Sequence, residues 1–278
     1  MKTVITPKSI DAFARFLRAE DRSAGTIENY TRDIASLARW LDGRPLTPEA
    51  AALWKQTLAE TLAPVTVNAK LAAVNAWCRF RSLGWSVKYL RIQRQLFRDK
   101  SRELTKEEYK RLLCAAQSAQ DESLALIMQT IASTGIRVSE LVYITVEAAK
   151  DGRAQIYLKG KIRVILLPAR LCRKLLCYAR DNGIRTGKIF LTVGGRSFSR
   201  KRIWDRMKEL CVPARVEPSK VYPHNLRHLF AGEFYRATND VVSLADLLGH
   251  SSVETTRLYL RSTGEDYVRF LDTMDLVQ

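Results

Sequence analysis

Histidine is scarce in this chain. Its three copies, His224, His228 and His250, all lie near the C-terminus. Two share the run Pro223-His224-Asn225-Leu226-Arg227-His228. The third closes Leu247-Leu248-Gly249-His250, and Tyr259 comes shortly after. Imidazole exchanges protons near neutral pH. A guanidinium stays charged and grips phosphate oxygens with a planar fork. A phenol becomes a nucleophile once its proton is drawn off, and neighbouring cations favour the phenolate. Transfer of a phosphodiester needs such parts: a nucleophile, a base, an acid for the leaving oxygen, and cations where charge builds. Here Tyr259 would attack and His224 would take its proton. His224 stands three residues before Arg227 on a predicted helix and shares its face. Arg227 and Arg137 would hold the non-bridging oxygens, joined by His250 after Gly249. Lys159, at the tip of a predicted hairpin, could enter a DNA groove and protonate a leaving 5′ oxygen.

Singly, each residue has a plainer role. A His-x-x-Arg pair sits on many surface helices, Tyr259 could edge a core, Arg137 could pair with Glu140 one turn away, and Lys159 could be a turn lysine. Their joint order and spacing is what makes the set specific.

The rest of the chain suits a polyanion. It carries 46 Lys+Arg against 29 Asp+Glu, a formal charge of +17, with a pI near 9.9. The surplus is spread: 17 basic against 9 acidic side chains in residues 1–100, and 29 against 20 in the remainder. Both parts could therefore touch one nucleic acid, as a clamp would. The five cysteines, Cys78, Cys114, Cys172, Cys177 and Cys211, form no Cys-x-x-Cys pair, which suits reduced thiols in a cytoplasmic protein and gives no zinc or other metal site. No stretch approaches the roughly 18 apolar residues of a membrane span, and Met1 to Phe13 lacks the long apolar run of a signal peptide.

The elements that must position the set are mostly helical. Apolar spacing predicts helices over Ser9–Leu17 and Thr26–Leu41, the second ended by Asp42-Gly43. Thr47-Pro48 opens a third, and Pro64 a fourth, running to about Leu83 before Gly84. The four make a small bundle over residues 1–90. A basic run, 91–103, with Arg91, Arg94, Arg98, Lys100 and Arg102, reads as a linker. Residues 104–278 form a second domain. It opens with a Thr105/Glu108 capping box and continues through a helix broken at Thr134-Gly135, with a new helix near Arg137. Ala154–Leu158 and Ile162–Leu167, around Lys159-Gly160-Lys161, form a β-hairpin. Further helices cover 169–181, 199–210, 224–237, 241–248 and 252–260. A tail carries Tyr267, Phe270, Leu271, Met274 and Val277 at helical spacing. The fold class is mainly α with a small antiparallel sheet.

With these segments in view, the chain resembles the tyrosine recombinases, the family of phage and transposon integrases and Xer-type enzymes. The resemblance rests on Ser133-Thr134-Gly135-Ile136-Arg137-Val138-Ser139-Glu140-Leu141, the Lys159 hairpin ending in Leu167-Pro168, the Pro223–His228 run, and Leu247 to Tyr259. Ser23–Tyr30 and Asn68-Ala69-Lys70-Leu71 resemble the family's helical, SAM-like core-binding domain. The resemblance implies a catalytic set of Arg137, Lys159, His224, Arg227, His250 and Tyr259, a 3′-phosphotyrosyl intermediate, and no metal, ATP or other cofactor. It implies a tetramer on two DNA duplexes, with the C-terminal segment exchanged between protomers. The family's hairpin often reads Gly-Lys-Gly-x-Lys-x-Arg. Here Leu158-Lys159-Gly160-Lys161-Ile162-Arg163 is one residue shorter, so Lys159 is favoured as the acid with Lys161 the alternative. Few residues precede the first helix, so no arm-binding domain is expected. Thr26, Lys70, Arg79, Arg81, Arg91, Arg94, Ser199, Arg200 and Arg202 are candidate DNA contacts. A type IB topoisomerase-like enzyme and an inactive DNA-binding regulator of the same fold remain as alternatives.

Overall fold

The structure is a computed structural model. It describes residues 4–92, 100–158, 161–192 and 194–249 and the single positions 253, 256, 272 and 273; for Lys100, Leu158 and Lys161 it describes the backbone alone. The chain divides into two compact units, Met1–Arg94 and Gln95–Gln278.

The first unit is a bundle of α1 (Pro7–Ala19), α2 (Ala24–Leu41), α3 (Pro48–Thr61) and α4 (Pro64–Phe80). Thr6, Ser23 and Thr47 cap the first three by accepting from backbone N–H groups, and proline stands in the first turn of α1, α3 and α4. α2 ends at Asp42 in the left-handed region. α4 stops at Phe80, short of the Leu83 that apolar spacing suggests. Ser82 turns to positive φ, and the Leu83 N–H folds back onto the Cys78 carbonyl. The core joins Phe13, Leu17, Ile34, Leu37, Trp54, Leu71 and Trp77, all fully buried. Phe13 meets Trp77 edge-on at 5.2 Å, and Phe80 packs on both.

After α4 the chain runs back along it in extended form. Asn75 grips Val87 at both its N–H and its carbonyl (2.7 and 3.0 Å), and Asn68, two turns earlier, grips Leu90 the same way (2.8 and 3.0 Å). Trp85, Val87 and Leu90 pack on the bundle core. The two amides give this segment the pairing that a neighbouring strand would supply.

The second unit contains α5 (Lys106–Ser118), α6 (Glu122–Thr134), α7 (Val146–Asp151), strands β1 (Arg153–Leu158) and β2 (Lys161–Leu166), α8 (Ala169–Asp181), α9 (Arg200–Glu209), α10 (Cys211–Ala214), α11 (Pro223–Thr238) and α12 (Val241–Leu248). The capping box at Thr105 and Glu108 is present. α6 is apolar on nearly every side, from Leu124 through Ile131, because α5, α8, α9 and α11 surround it. The break at Thr134-Gly135 occurs, but the chain after Arg137 forms a 3₁₀ segment, Val138–Tyr143, rather than an α-helix. β1 and β2 pair antiparallel from Arg153 opposite Leu166 to Leu158 opposite Lys161, with Ala154 opposite Ile165 and Ile156 opposite Arg163. Arg206 of α9 binds the Asp121 cap of α6, and Lys220 binds Glu108 at 2.8 Å. All five cysteines are free thiols, three of them buried. No described helix is long and apolar enough to cross a membrane.

Candidate active site

α6 ends because Gly135 adopts a left-handed φ of +66°. A methyl group there would lie 2.4 Å from Phe230 Cδ1 and 2.9 Å from Leu248 Cδ2, so α11 and α12 press directly on the turn. The chain then extends through Arg137. Glu140, one turn on and only 1% exposed, accepts the Arg137 backbone N–H at 2.8 Å and its Nη1 at 2.9 Å. Arg137 is thus anchored on one edge while its side chain remains 42% exposed. An arginine held this way meets an anion with little rotamer freedom left to lose.

Arg227 rises from the other side. It is 1% exposed, and its fork donates to the Gly135 carbonyl through Nη1 (2.5 Å) and to the Leu248 carbonyl through Nη2 (2.8 Å). Both carbonyls close helix C-termini, where the helix dipole favours a cation. Residue type and spacing assign Arg227 to phosphate oxygens; in this structure its terminal nitrogens bind the turns that lead into Arg137 and towards His250. Arg163 of β2 is the third member. Its Nη1 donates to the same Leu248 carbonyl at 2.8 Å and reaches Glu140 Oε1 at 3.4 Å. Burial pushes its pKa down to about 10; Glu140 opposes that, and Arg227 and Arg137 add to it. Arg137, Glu140, Arg163 and Arg227 therefore form one connected cluster.

His224 opens α11 behind Pro223 and is exposed. His224 and Arg227 stand three residues apart on α11, the first exposed and the second buried. The His228 ring, one turn on, stands edge-on to His224 at 4.6 Å. Lys159, His250 and Tyr259 lie outside the described residues, as do Arg94 and the tail from Tyr267 to Val277, except for positions 272 and 273. Lys161, the alternative acid, belongs to β2, and its side chain is not among those described.

Of the candidate DNA contacts, Arg79, Arg81, Arg91, Ser199, Arg200 and Arg202 are exposed. Arg79 lies 3.7 Å from Glu20, and Arg81 and Arg202 lie over the rings of Phe80 and Phe198. Thr26 shares a hydrogen bond with Ser23, and Ser199 caps α9. Lys70 differs from the rest: it is half-buried and bound to the buried Asp33 at 3.0 Å. Sequence reasoning passed over Glu140 as more than a partner for Arg137 and gave Arg163 no role beyond closing the hairpin motif. The signal for Arg163 was its place in the strand, since 163 and 165 must face one way and 162, 164 and 166 the other. Among the described residues no group of His, Cys, Asp or Glu is placed to hold a metal ion.

The comparisons with known proteins agree with one another. Residues 102–265 match the family model described as "Phage integrase family". Tyrosine recombinase XerA of Pyrococcus furiosus is 26% identical over 97% of this chain and 94% of its own. Tyrosine recombinase XerD of Caulobacter vibrioides is 27% identical over 95% and 94%. In fold, the chain is similar to a lambda integrase solved as a tetramer bound to a Holliday junction. That likeness has a TM-score of 0.71 at 19% identity, over 92% of this chain and 77% of the other. The chain belongs to the phage integrase family of tyrosine recombinases.

Proposed function

We propose that this protein cuts and rejoins DNA at specific sites through a 3′-phosphotyrosyl intermediate. The observation that carries the reading is the arginine cluster around Glu140, built from separate segments of a chain that matches the integrase family. Tyr259 attacks the scissile phosphate, and His224 takes the phenolic proton. Arg137, Arg227 and His250 favour the charge that builds on the phosphoryl oxygens. Lys159 protonates the departing 5′ oxygen. A 5′ hydroxyl from the partner duplex then attacks the phosphotyrosyl link and restores Tyr259. The link conserves bond energy, so no nucleotide hydrolysis is required, and no cofactor is invoked.

Reciprocal exchange between two duplexes breaks four strands, with one tyrosine spent on each, and so calls for four protomers. The tail with Tyr267, Phe270, Leu271, Met274 and Val277 is the segment we assign to exchange between them. Residues 1–90 and 104–278, joined by the basic 91–103 segment, would each bind cytoplasmic DNA. Arg79, Arg81 and Arg91 would serve on one part and Ser199, Arg200 and Arg202 on the other, with Thr26, Lys70 and Arg94 as further contacts.

The test is covalent capture. Nicked "suicide" duplexes of randomised sequence are incubated with the protein, and adducts are recovered on denaturing gels and sequenced. The wild-type chain should give adducts on a defined sequence, and Tyr259→Phe should give none while still binding the recovered duplex. Adducts of equal yield from Tyr259→Phe would remove Tyr259 as nucleophile, and no adduct from the wild type would defeat the reading.

A further inference from the structure

We infer that Arg163 is a positioning residue for strand exchange, tying the Leu248–Gly249 turn to Glu140 and so setting the approach to His250 against the anchor of Arg137. The inference rests on the recombinase reading above.

Three observations carry it. First, β2 is arranged against its own hydrophobicity. Ile162, Val164 and Leu166 are 67%, 44% and 63% exposed, whereas the Arg163 side chain is 13% exposed on the buried face beside Ile165. A slip of one residue would bury the three aliphatic side chains and release the charge. The register instead keeps Arg163 inward, opposite Ile156.

Second, its Nη1 bridges two segments far apart in the chain: the Leu248 carbonyl at the end of α12, and Glu140, which holds Arg137. The fit to Gly249 is close. A Cβ there would stand 2.4 Å from Arg163 Cδ and 2.8 Å from Nη1, so the turn and the guanidinium stem touch because residue 249 has no side chain.

Third, Arg163 Nε and Nη2 are buried without a hydrogen-bond partner among the described residues. Unmet buried donors on a charged group oppose folding. Arg163 accepts that cost where one fork must reach both the turn and Glu140. Leu248 and Gly249 run directly into His250, so displacing the turn displaces a group assigned to the phosphate. Arg163 itself need not touch DNA.

The experiment uses the full chain and the duplex recovered by covalent capture. Single-turnover adduct formation is measured at saturating DNA, beside the affinity for that duplex and the melting temperature. Arg163→Gln should cleave about 100-fold more slowly with unchanged affinity, the scale of a roughly 1 Å displacement of a positioned group. Arg163→Lys keeps a cation opposite Glu140 without the fork. It should stay folded and cleave at an intermediate rate, and it decides the matter where the glutamine variant fails to fold. In a Glu140→Gln background, Arg163→Gln should cost less in cleavage rate than it does alone, because the tie is already cut. A folded lysine or glutamine variant that cleaves at the wild-type rate would overturn the inference. So would losses that simply add in the double variant. In either case wild-type adducts would leave the recombinase reading standing, whereas their absence would remove both.

Discussion

The two units bury different things. In the first, Asp33 is the sole charged side chain buried among the described residues, and Lys70 answers it; Trp77 Nε1 is buried without a described partner, and the rest is aliphatic and aromatic packing. Among the described residues, the second buries Thr130, Thr134, Glu140, Asn225 and Arg227, leaves Asn225 Oδ1 without a partner, and holds Arg163 with two unmet donors. Hydrophobic residues of similar volume would be the more stable filling for such positions. The first unit is thus built as a scaffold whose core answers to packing alone. In the second, packing gives way locally to the placement of charge.

The sharpest way to break that contrast is to delete one large buried side chain from each core. Arg227→Ala strips the donors from two helix-terminal carbonyls. It should abolish adduct formation and destabilise by about 3 kcal/mol or more. Trp77→Ala should cost a similar amount, about 3–5 kcal/mol in urea unfolding. The folded fraction of that variant should nevertheless cleave saturating DNA at nearly the wild-type rate. Equal loss of cleavage from both would erase the distinction.

A smaller effect separates two glycines of like backbone. Gly43 ends the α2 turn at φ +75° with open space around it, and Gly135 ends α6 at φ +66° against Phe230 and Leu248. Gly43→Ala should cost about 1 kcal/mol of backbone strain. Gly135→Ala should add overpacking, for about 3 kcal/mol in all. Matching values from denaturant titrations would mean that α11 and α12 do not depend on a close approach there.

The smallest effect is acid sensitivity in the second unit. Burial alone would raise the carboxyls of Asp121 and Glu108. Arg206 and the Leu124 N–H at the first, and Lys220 and Thr105 at the second, outweigh it and hold both below their ordinary values. A carboxyl depressed in the folded state adds stability above its unfolded pKa of about 4 and loses it as pH falls through the folded value. Melting should therefore drop on acidification below that point. Asp121→Asn should flatten the limb by about 1 kcal/mol; an unchanged limb would assign the acid response elsewhere.

Much of this architecture was legible because helix ends carry their own chemistry. Thr47 with Pro48, Thr105 with Glu108, and Gly135 act through neighbours only a few residues away, and α8 spans the predicted 169–181. The hairpin followed from two β-branched runs about a glycine. The features that escaped were set by distant contacts. α7 and α10 are too short to show periodicity. The Asn68 and Asn75 clamps join side chains to backbone well downstream of them. The spacing of Arg227 from His224 was plain in the sequence, whereas the carbonyls of Gly135 and Leu248 that hold its guanidinium come from distant helix ends. Arg163 was hidden for a related reason: within Ile162-Arg163-Val164-Ile165-Leu166 a lone charge reads as the exposed member, and only its tie to Leu248 puts it inside.

Three guanidiniums, Arg137, Arg163 and Arg227, share one cluster, and among the described residues the carboxylate that pairs with the first two is Glu140. Without DNA that is a surplus of like charge held together by the surrounding fold, a standing repulsion like that of a compressed spring. On the proposed reading, a phosphate held beside Arg137 would relieve it, and part of the affinity would come from that relief rather than from contacts made on arrival. The same surplus makes the empty protein less stable than its core would allow. Occupied DNA sites should therefore shelter this chain from unfolding and proteolysis, while unbound copies are the ones lost first.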